Sequence, residues 1–172
     1  MRIIRDRTIQ TDDWRLSPEL GGSADASAAA GGQIVSLAHL QEAAGTLFDS
    51  DGEIGVLLKP EDDPAEIEPY LSRLALVAIE FPKFSEGRGY TQARLLRGRY
   101  RFPGEIRALG DISRDRLAFL ERCGFNAFVL RSGESLEAAL SAFSEISLRY
   151  QPAEDAVDTV WSLRRRRASN GP

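Results

Sequence analysis

Short apolar runs alternate with segments of helical spacing between residues 33 and 150, and this alternation constrains the fold more than any other feature. Five runs have the length and composition of buried strands: 33–37, 54–58, 76–81, 105–109 and 125–130. The segments between them place apolar side chains three and four residues apart, as helices do: 37–47, 64–74, 90–100, 113–123 and 135–148. Strands that alternate with helices predict βαβ units and a mostly parallel sheet.

We therefore predict one α/β domain with a mostly parallel sheet of about five strands. An open doubly wound sheet, with helices on both faces, is favoured because the repeats fall short of the eight that close a TIM barrel. A partial TIM-barrel-like array is the alternative. The expected organisation is an N-terminal edge segment, a linker or loop rich in Gly, Ala and Ser, the α/β domain and a charged tail: residues 1–18, 19–32, 33–150 and 151–172.

The composition excludes several classes of protein. One cysteine and one histidine among 172 residues cannot form an internal disulfide, a zinc site or an iron–sulfur centre within one chain. No cofactor motif is evident. No signal peptide or membrane-spanning run is present, which predicts a cytoplasmic protein without membrane contact. The net charge of −4 argues against nucleic-acid binding. The sequence leaves open whether the chain forms a homodimer through Trp14, Trp161 or the final helix.

Basic residues cluster in one segment of this acidic chain. Residues 83–107 carry seven basic and two acidic side chains, whereas residues 1–82 carry six basic and fifteen acidic ones. Such a block predicts either an anion site or a surface that docks an acidic partner. A solvated helix face is the structural alternative.

The loop before the third predicted helix has the features of an anion site. Glycines flank Arg88, so the backbone can turn tightly and approach a ligand, and the helix that follows offers free N–H groups. The candidate anion-binding residues are Lys83, Arg88, Gly89, Tyr90 and Arg94. Of the arginines on the helix, Arg94 is the best candidate to reach a buried ligand. The third glycine of the dinucleotide fingerprint is missing, which argues against NAD binding.

Catalytic groups of α/β proteins lie at the carboxyl ends of the strands. This rule gathers Lys59, residues 80–89, Gly110-Asp111 and Arg131 into one predicted neighbourhood. Glu86 and Asp111 are the candidate catalytic residues there, because a carboxylate can transfer a proton to or from a bound anion. Capping of the next helix by Asp111 or Ser113 is the structural alternative.

Several short motifs occur in a characteristic order between residues 81 and 130. They are Phe81-Pro82-Lys83-Phe84, Gly87-Arg88-Gly89-Tyr90, Ala93-Arg94-Leu95-Leu96-Arg97, Gly104-Glu105, Gly110-Asp111 and Arg122-Cys123-Gly124-Phe125. This stretch resembles the bacterial family called domain of unknown function 934. The chain departs from the family pattern at Glu86, where Asp is usual, and at Thr91, where Ser is usual.

The resemblance implies a role in sulfur assimilation, because members of that family are encoded beside assimilatory sulfite reductase. It supports two hypotheses. In the first, the protein is an accessory protein that docks to sulfite reductase or its electron donor through residues 83–107. In the second, it is a small enzyme, an oxidoreductase by the family's label, that binds an anionic substrate at the Gly87-Arg88-Gly89 loop.

Overall fold

One sheet of eight strands organises the described part of the chain, which comprises residues 1–22, 31–146, 148–154 and 157–169 of a computed structural model. The strands are β1 (Arg2–Arg5), β2 (Thr8–Thr11), β3 (Arg15–Leu16), β4 (Gln33–Ser36), β5 (Ile54–Leu58), β6 (Leu76–Phe81), β7 (Glu105–Gly110) and β8 (Ala127–Phe128). They lie in the order β2-β1-β8-β7-β6-β5-β4-β3. The α/β class and the single sheet are therefore confirmed.

The strand order corrects the predicted architecture. From β3 to β8 each strand lies parallel and next to the strand before it, with no reversal of direction across the sheet. A doubly wound sheet requires such a reversal, whereas successive right-handed crossovers without one keep the helices on a single face and curve the sheet. The molecule is accordingly a half-barrel, and the favoured doubly wound sheet is wrong. The partial-barrel alternative describes the fold better.

The predicted strand number was also wrong, because the N-terminal segment contributes three short strands. β1 and β2 form an antiparallel hairpin, and β1 pairs antiparallel with β8, so the sheet is mixed. The hairpin turns at Asp6 and Arg7, which both have positive φ values of 49° and 59°. A two-residue turn of this kind usually contains Asn-Gly or Asp-Gly. Asp-Arg therefore gives no clear sequence signal for the hairpin.

The first predicted helix is confirmed almost residue for residue, whereas the regular α-helices after it are shorter than predicted. The α-helices are α1 (Leu37–Phe48), α2 (Arg88–Arg94), α3 (Leu117–Arg122), α4 (Leu136–Ala139) and α5 (Val160–Ser169). Other short helical segments precede, follow or replace α-helices: Pro64–Tyr70, Arg114–Arg116 and Leu140–Phe143 are 3₁₀, and Leu95–Arg99 is a π-helix. Asp63 caps the first of these segments, because its side chain accepts a hydrogen bond from the Ala65 N–H. The predicted charged tail contains α5, and the middle of the predicted linker, residues 23–30, lies outside the described residues.

Alternating side chains give the sheet two different faces. Ile54, Val56 and Leu58 point into the large core beneath the helices, which also contains side chains from β6, β7 and α3. Leu57 and its neighbours Ile34, Leu76 and Ala78 form a small cluster on the other, concave face, which Trp14, Leu20 and Leu109 partly cover. No helix among the described residues has the length and apolar character needed to cross a membrane.

Candidate functional site

The carboxyl ends of the parallel strands surround a cavity of about 500 Å³ on the concave face. Lys59 follows β5, Glu80 lies near the end of β6, and Gly110 ends β7. All three line this cavity, as the strand-end rule predicts. Asp111 and Arg131 follow the neighbouring strand ends and form an ion pair with each other at 3.3 Å.

The Arg88 guanidinium at the glycine loop is already occupied by a carboxylate. Its Nε and Nη2 atoms each donate to Glu86 at 2.9 Å, and the Arg88 backbone N–H donates to Glu86 Oε1 at 3.0 Å. Glu86 therefore occupies the loop position and the N–H group that a bound anion would use. The hydrogen bonds from the Arg88 side chain, and then from its backbone N–H, hold the pKa of Glu86 at about 2, below its ordinary value of 4.5.

We expect an NMR titration of the Glu86 carboxyl carbon to have its midpoint near pH 2. Replacing Arg88 with glutamine should move that midpoint toward the ordinary value, because the charged donor is lost. Since the folded-state pKa is depressed, the stabilisation from this pair should be full above about pH 4.5 and lost as the pH falls toward 2. Lys83→Gln removes a charge from the same loop and should leave the midpoint unchanged. A midpoint near 4.5 in the unmodified protein would contradict this assignment.

Gly89 and Tyr90 take part in packing and hydrogen bonding within the protein. A methyl group on Gly89 would lie 2.6 Å from the Phe81 Cζ atom, so glycine is needed for α2 to pack closely against β6. Tyr90 accepts a hydrogen bond from Arg116 Nε at 2.9 Å. The Arg116 guanidinium also lies over the rings of Phe81 and Phe84, at 4.7 and 5.4 Å from their centroids. Arg116 is buried, and the aromatic residues in the 81–90 segment are the sequence signal that could have identified this contact.

Two arginines of the basic segment, Arg94 and Arg97, differ in burial. Arg94 is exposed beside a small cavity that Phe119 and Arg122 also line. Arg97 is half-buried and donates to the carbonyl oxygens of Phe102, Gly104 and Gly124 and to Asn126 Oδ1. Burial lowers the pKa of Arg97. Arg94, the candidate to reach a buried ligand, is therefore exposed, and Arg97 joins the Leu95–Arg99 segment to the loops beneath it.

Neither candidate cap at the start of the fourth predicted helix performs that role. Asp111 accepts from Arg131 Nη1, and its backbone carbonyl accepts from Arg116 Nη1 at 2.9 Å. Ser113 occupies the cap position but donates to Asp115 Oδ1 at 2.5 Å instead of accepting a backbone hydrogen bond. The carboxylate of Asp111 is only partly exposed, at 30%.

A buried charge network forms the floor of the concave cavity. Arg107 is 1% exposed. Its guanidinium lies 2.9 Å from Asp12 Oδ1 and 2.6 Å from Glu105 Oε1. The alternation of residues 106–108 predicts an acidic partner for Arg107 across the sheet, and this prediction is confirmed. The sequence could not identify Asp12 as that partner, because ninety-five positions separate it from Arg107.

The helix-covered face carries a cluster of exposed apolar side chains. Its members are between 56% and 68% exposed, and we call them the apolar surface: Phe84, Phe119, Ile146, Leu148 and Tyr150. Phe119, Ile146, Leu148 and Tyr150 line one shallow cavity. Phe119 also contacts Tyr90, with ring centroids 5.1 Å apart. The Arg116 guanidinium lies over the rings of both Tyr90 and Phe84.

Sequence reasoning places Ile146 and Leu148 within or at the end of a helix that spans 135–148. The 3₁₀ segment that follows α4 ends at Phe143, so these side chains lie beyond the helical region and face solvent. Lys83 and Arg94 are both exposed and make no ion pair among the described residues. Arg94 lines a small cavity with Phe119, and Lys83 precedes Phe84 in the chain. The apolar surface and part of the basic segment therefore meet.

Among the described residues, no group of three or more His, Cys, Asp or Glu side chains could hold a metal ion. The chain has no match among the curated proteins with which it was compared. A family described as "Bacterial protein of unknown function (DUF934)" matches residues 55–161, from β5 to the start of α5. This range contains the Gly87-Arg88-Gly89 loop, most of the parallel strands and the whole apolar surface. Because the match spans more than half of the chain, the chain belongs to the DUF934 family.

Proposed function

We propose that this protein is an accessory protein of assimilatory sulfur metabolism that docks to an acidic face of sulfite reductase or of its electron donor. The observation that carries the docking role is the apolar surface beside Lys83 and Arg94. Monomeric soluble proteins seldom expose several large apolar side chains in one place, and such patches commonly mark protein–protein contacts. The sulfur-related partner comes from the family resemblance.

Charge and apolar area would have different effects in such a complex. The aromatic and aliphatic side chains supply buried area and hence affinity, whereas the basic side chains at the edge steer an acidic partner toward them. Only part of the 83–107 segment is available for steering. Arg97 and Arg107 are used inside the protein, and Arg88 is paired with Glu86.

The alternative, an enzyme that binds an anionic substrate at the glycine loop, requires a free Arg88. In the structure, a ligand at this loop would have to displace Glu86 from three hydrogen bonds. For that reason we propose docking as the function that the geometry supports better. Loss of a ligand-induced thermal shift in Arg88→Ala would favour the enzyme instead.

The docking proposal predicts a salt-sensitive complex with purified sulfite reductase or its electron donor. Phe119→Ser should weaken this complex about thirtyfold or more, because truncating a central aromatic anchor costs about 2 kcal/mol or more. Lys83→Glu combined with Arg94→Glu should slow association and make the affinity less dependent on salt. Surface plasmon resonance at several salt concentrations measures both effects.

Arg99→Glu is the matched control for charge. Arg99 belongs to the same basic segment but borders a different cavity, with Leu74 and Phe102 near the amino ends of the strands. Its reversal should leave association unchanged. Gel filtration at low salt that shows no complex with either partner would overturn the proposal, as would equal effects of the control and the Lys83/Arg94 variant.

A further inference from the structure

The concave face of the half-barrel holds a second site, separated by the sheet from the apolar surface. Its cavity of about 500 Å³ lies within the range of small-molecule sites in proteins. Six residues define its chemistry: Trp14, Leu57, Lys59, Glu80, Arg107 and Leu109. Ligands of parallel α/β sheets bind at this end of the strands, because the loops that follow the strands meet there.

Two opposite charges lie side by side in this cavity. Leu58 and Ile79 are register partners on the parallel strands β5 and β6, so Lys59 and Glu80, which follow them, are also neighbours. Both line the cavity. Among the described residues, neither side chain makes an ion pair or a hydrogen bond with any other. One ammonium group and one carboxylate therefore remain available to a ligand.

The remaining charges of the cavity already have partners. Arg107 pairs with Asp12 and Glu105, and Arg5 also contacts Glu105. The Glu19 carboxylate accepts a hydrogen bond from the Ser36 backbone N–H at 3.3 Å. The N-terminal ammonium group of Met1, which also lines the cavity, donates to the Asp12 backbone carbonyl at 3.5 Å. Lys59 and Glu80 are therefore the charged side chains of the lining that have no partner among the described residues.

Apolar side chains form the rest of the cavity wall. Trp14 packs on the small cluster of the concave face together with Leu20 and Leu109. Leu57 and Ile34, both almost fully buried, lie beneath them. An apolar group placed here would be shielded from water while a charged group at the strand ends contacted Lys59 and Glu80.

We propose that this cavity binds an α-amino acid with an apolar side chain. The ligand carboxylate contacts the Lys59 ammonium group, the ligand ammonium group contacts the Glu80 carboxylate, and the side chain packs against Trp14 and the leucines. A zwitterion with an apolar body matches both unpaired charges at once, which a simple anion or a simple cation does not. This proposal is independent of the docking function.

Trp14 provides a direct test, because the chain has only one other tryptophan, Trp161. In a Trp161→Phe background, we expect L-phenylalanine, L-leucine or L-methionine to change the Trp14 fluorescence saturably. N-acetyl-L-phenylalanine lacks the ammonium group and 2-phenylethylamine lacks the carboxylate. Each should bind about tenfold or more weakly than L-phenylalanine, because each loses one charge-assisted contact.

Substitutions at the two charged positions should have the same effect from the protein side. Lys59→Met and Glu80→Gln should each weaken amino-acid binding about tenfold or more, and Lys59→Arg should retain it. The matched controls are Lys83→Met, at the only other lysine of the chain, and Glu42→Gln on α1, and both should bind normally. Circular dichroism checks that every variant is folded.

Three results would overturn the proposal. The first is the absence of saturable binding of all three amino acids to the folded protein. The second is equal binding of L-phenylalanine and its N-acetyl derivative, which would indicate an anion site without recognition of the ammonium group. The third is normal affinity in a folded Lys59→Met variant, which would place the ligand elsewhere.

Discussion

Arg107→Met is expected to lower the free energy of unfolding by about 3–5 kcal/mol, because it removes the buried guanidinium that pairs with Asp12 and Glu105. Arg107 is 1% exposed, and the side chains of Asp12 and Glu105 are 4% and 9% exposed. Without the guanidinium, Asp12 would have no positive partner among the described residues. Burying a carboxylate that has no positive partner is costly, since its lost hydration is not replaced. Urea unfolding followed by circular dichroism measures the effect.

Two further variants separate the effect of breaking the charge network on stability from the effect of losing a large side chain. In Arg107→Met combined with Asp12→Leu, the buried unpaired charge is gone, so stability should be partly regained. Arg94→Met removes an exposed arginine from α2 and should change stability by less than about 0.5 kcal/mol. A cost below about 1 kcal/mol for Arg107→Met would mean that water reaches this network in solution.

Gly110→Ala is expected to cost about 3 kcal/mol, from backbone strain and from a clash that cannot relax. Gly110 has a φ of +99°, which side chains with a Cβ atom rarely adopt. An added methyl group would also lie 2.3 Å from the Phe81 carbonyl oxygen, a backbone atom of β6. That oxygen accepts the Asp111 N–H at 2.8 Å, so moving it would disturb the end of the β6–β7 pairing.

Gly133→Ala measures the cost of backbone strain without a steric clash. Gly133 has a φ of +90° and nothing within 4 Å of an added methyl group. This variant should therefore cost only about 1 kcal/mol, the lower end of the range for a strained residue. Thermal and urea unfolding of both variants measure the difference. Equal costs would contradict the clash at Gly110 and assign the whole effect to backbone strain.

The strands under the helices were predictable because each is buried on both faces. The run 54–58 is continuous and apolar, and the observed strand β5 has the same bounds, as does β6 for the run 76–81. The short strands β1 to β3 were harder to predict. Their length is two to four residues, and the hairpin turns at Asp6-Arg7, a pair without the usual glycine. Helix lengths were overestimated where the chain tightens into 3₁₀ turns, as at 64–70, which contains Pro69.

The candidate site was predictable to a smaller degree. The strand-end rule brought Lys59, Glu80 and Gly110 together correctly, because all parallel strands of one sheet end at the same edge. The rule could not show that Glu86 neutralises Arg88, since side-chain pairing in a loop depends on local backbone geometry. It also could not distinguish Arg94 from Arg97. They lie three positions apart on one continuous helical stretch, and only the loops packed against it decide which one is buried.

The sequence by itself determined the α/β class, the parallel central strands and the strand ends that border the concave cavity, because hydrophobic periodicity and turn residues act locally. Only the tertiary structure decided that the sheet is singly wound, that Asp12 pairs with Arg107 and that the described part of the chain leaves the apolar surface exposed. Each of these depends on contacts between residues far apart in the chain. Such contacts are set by how the strands are ordered in space, and local patterns do not encode that order.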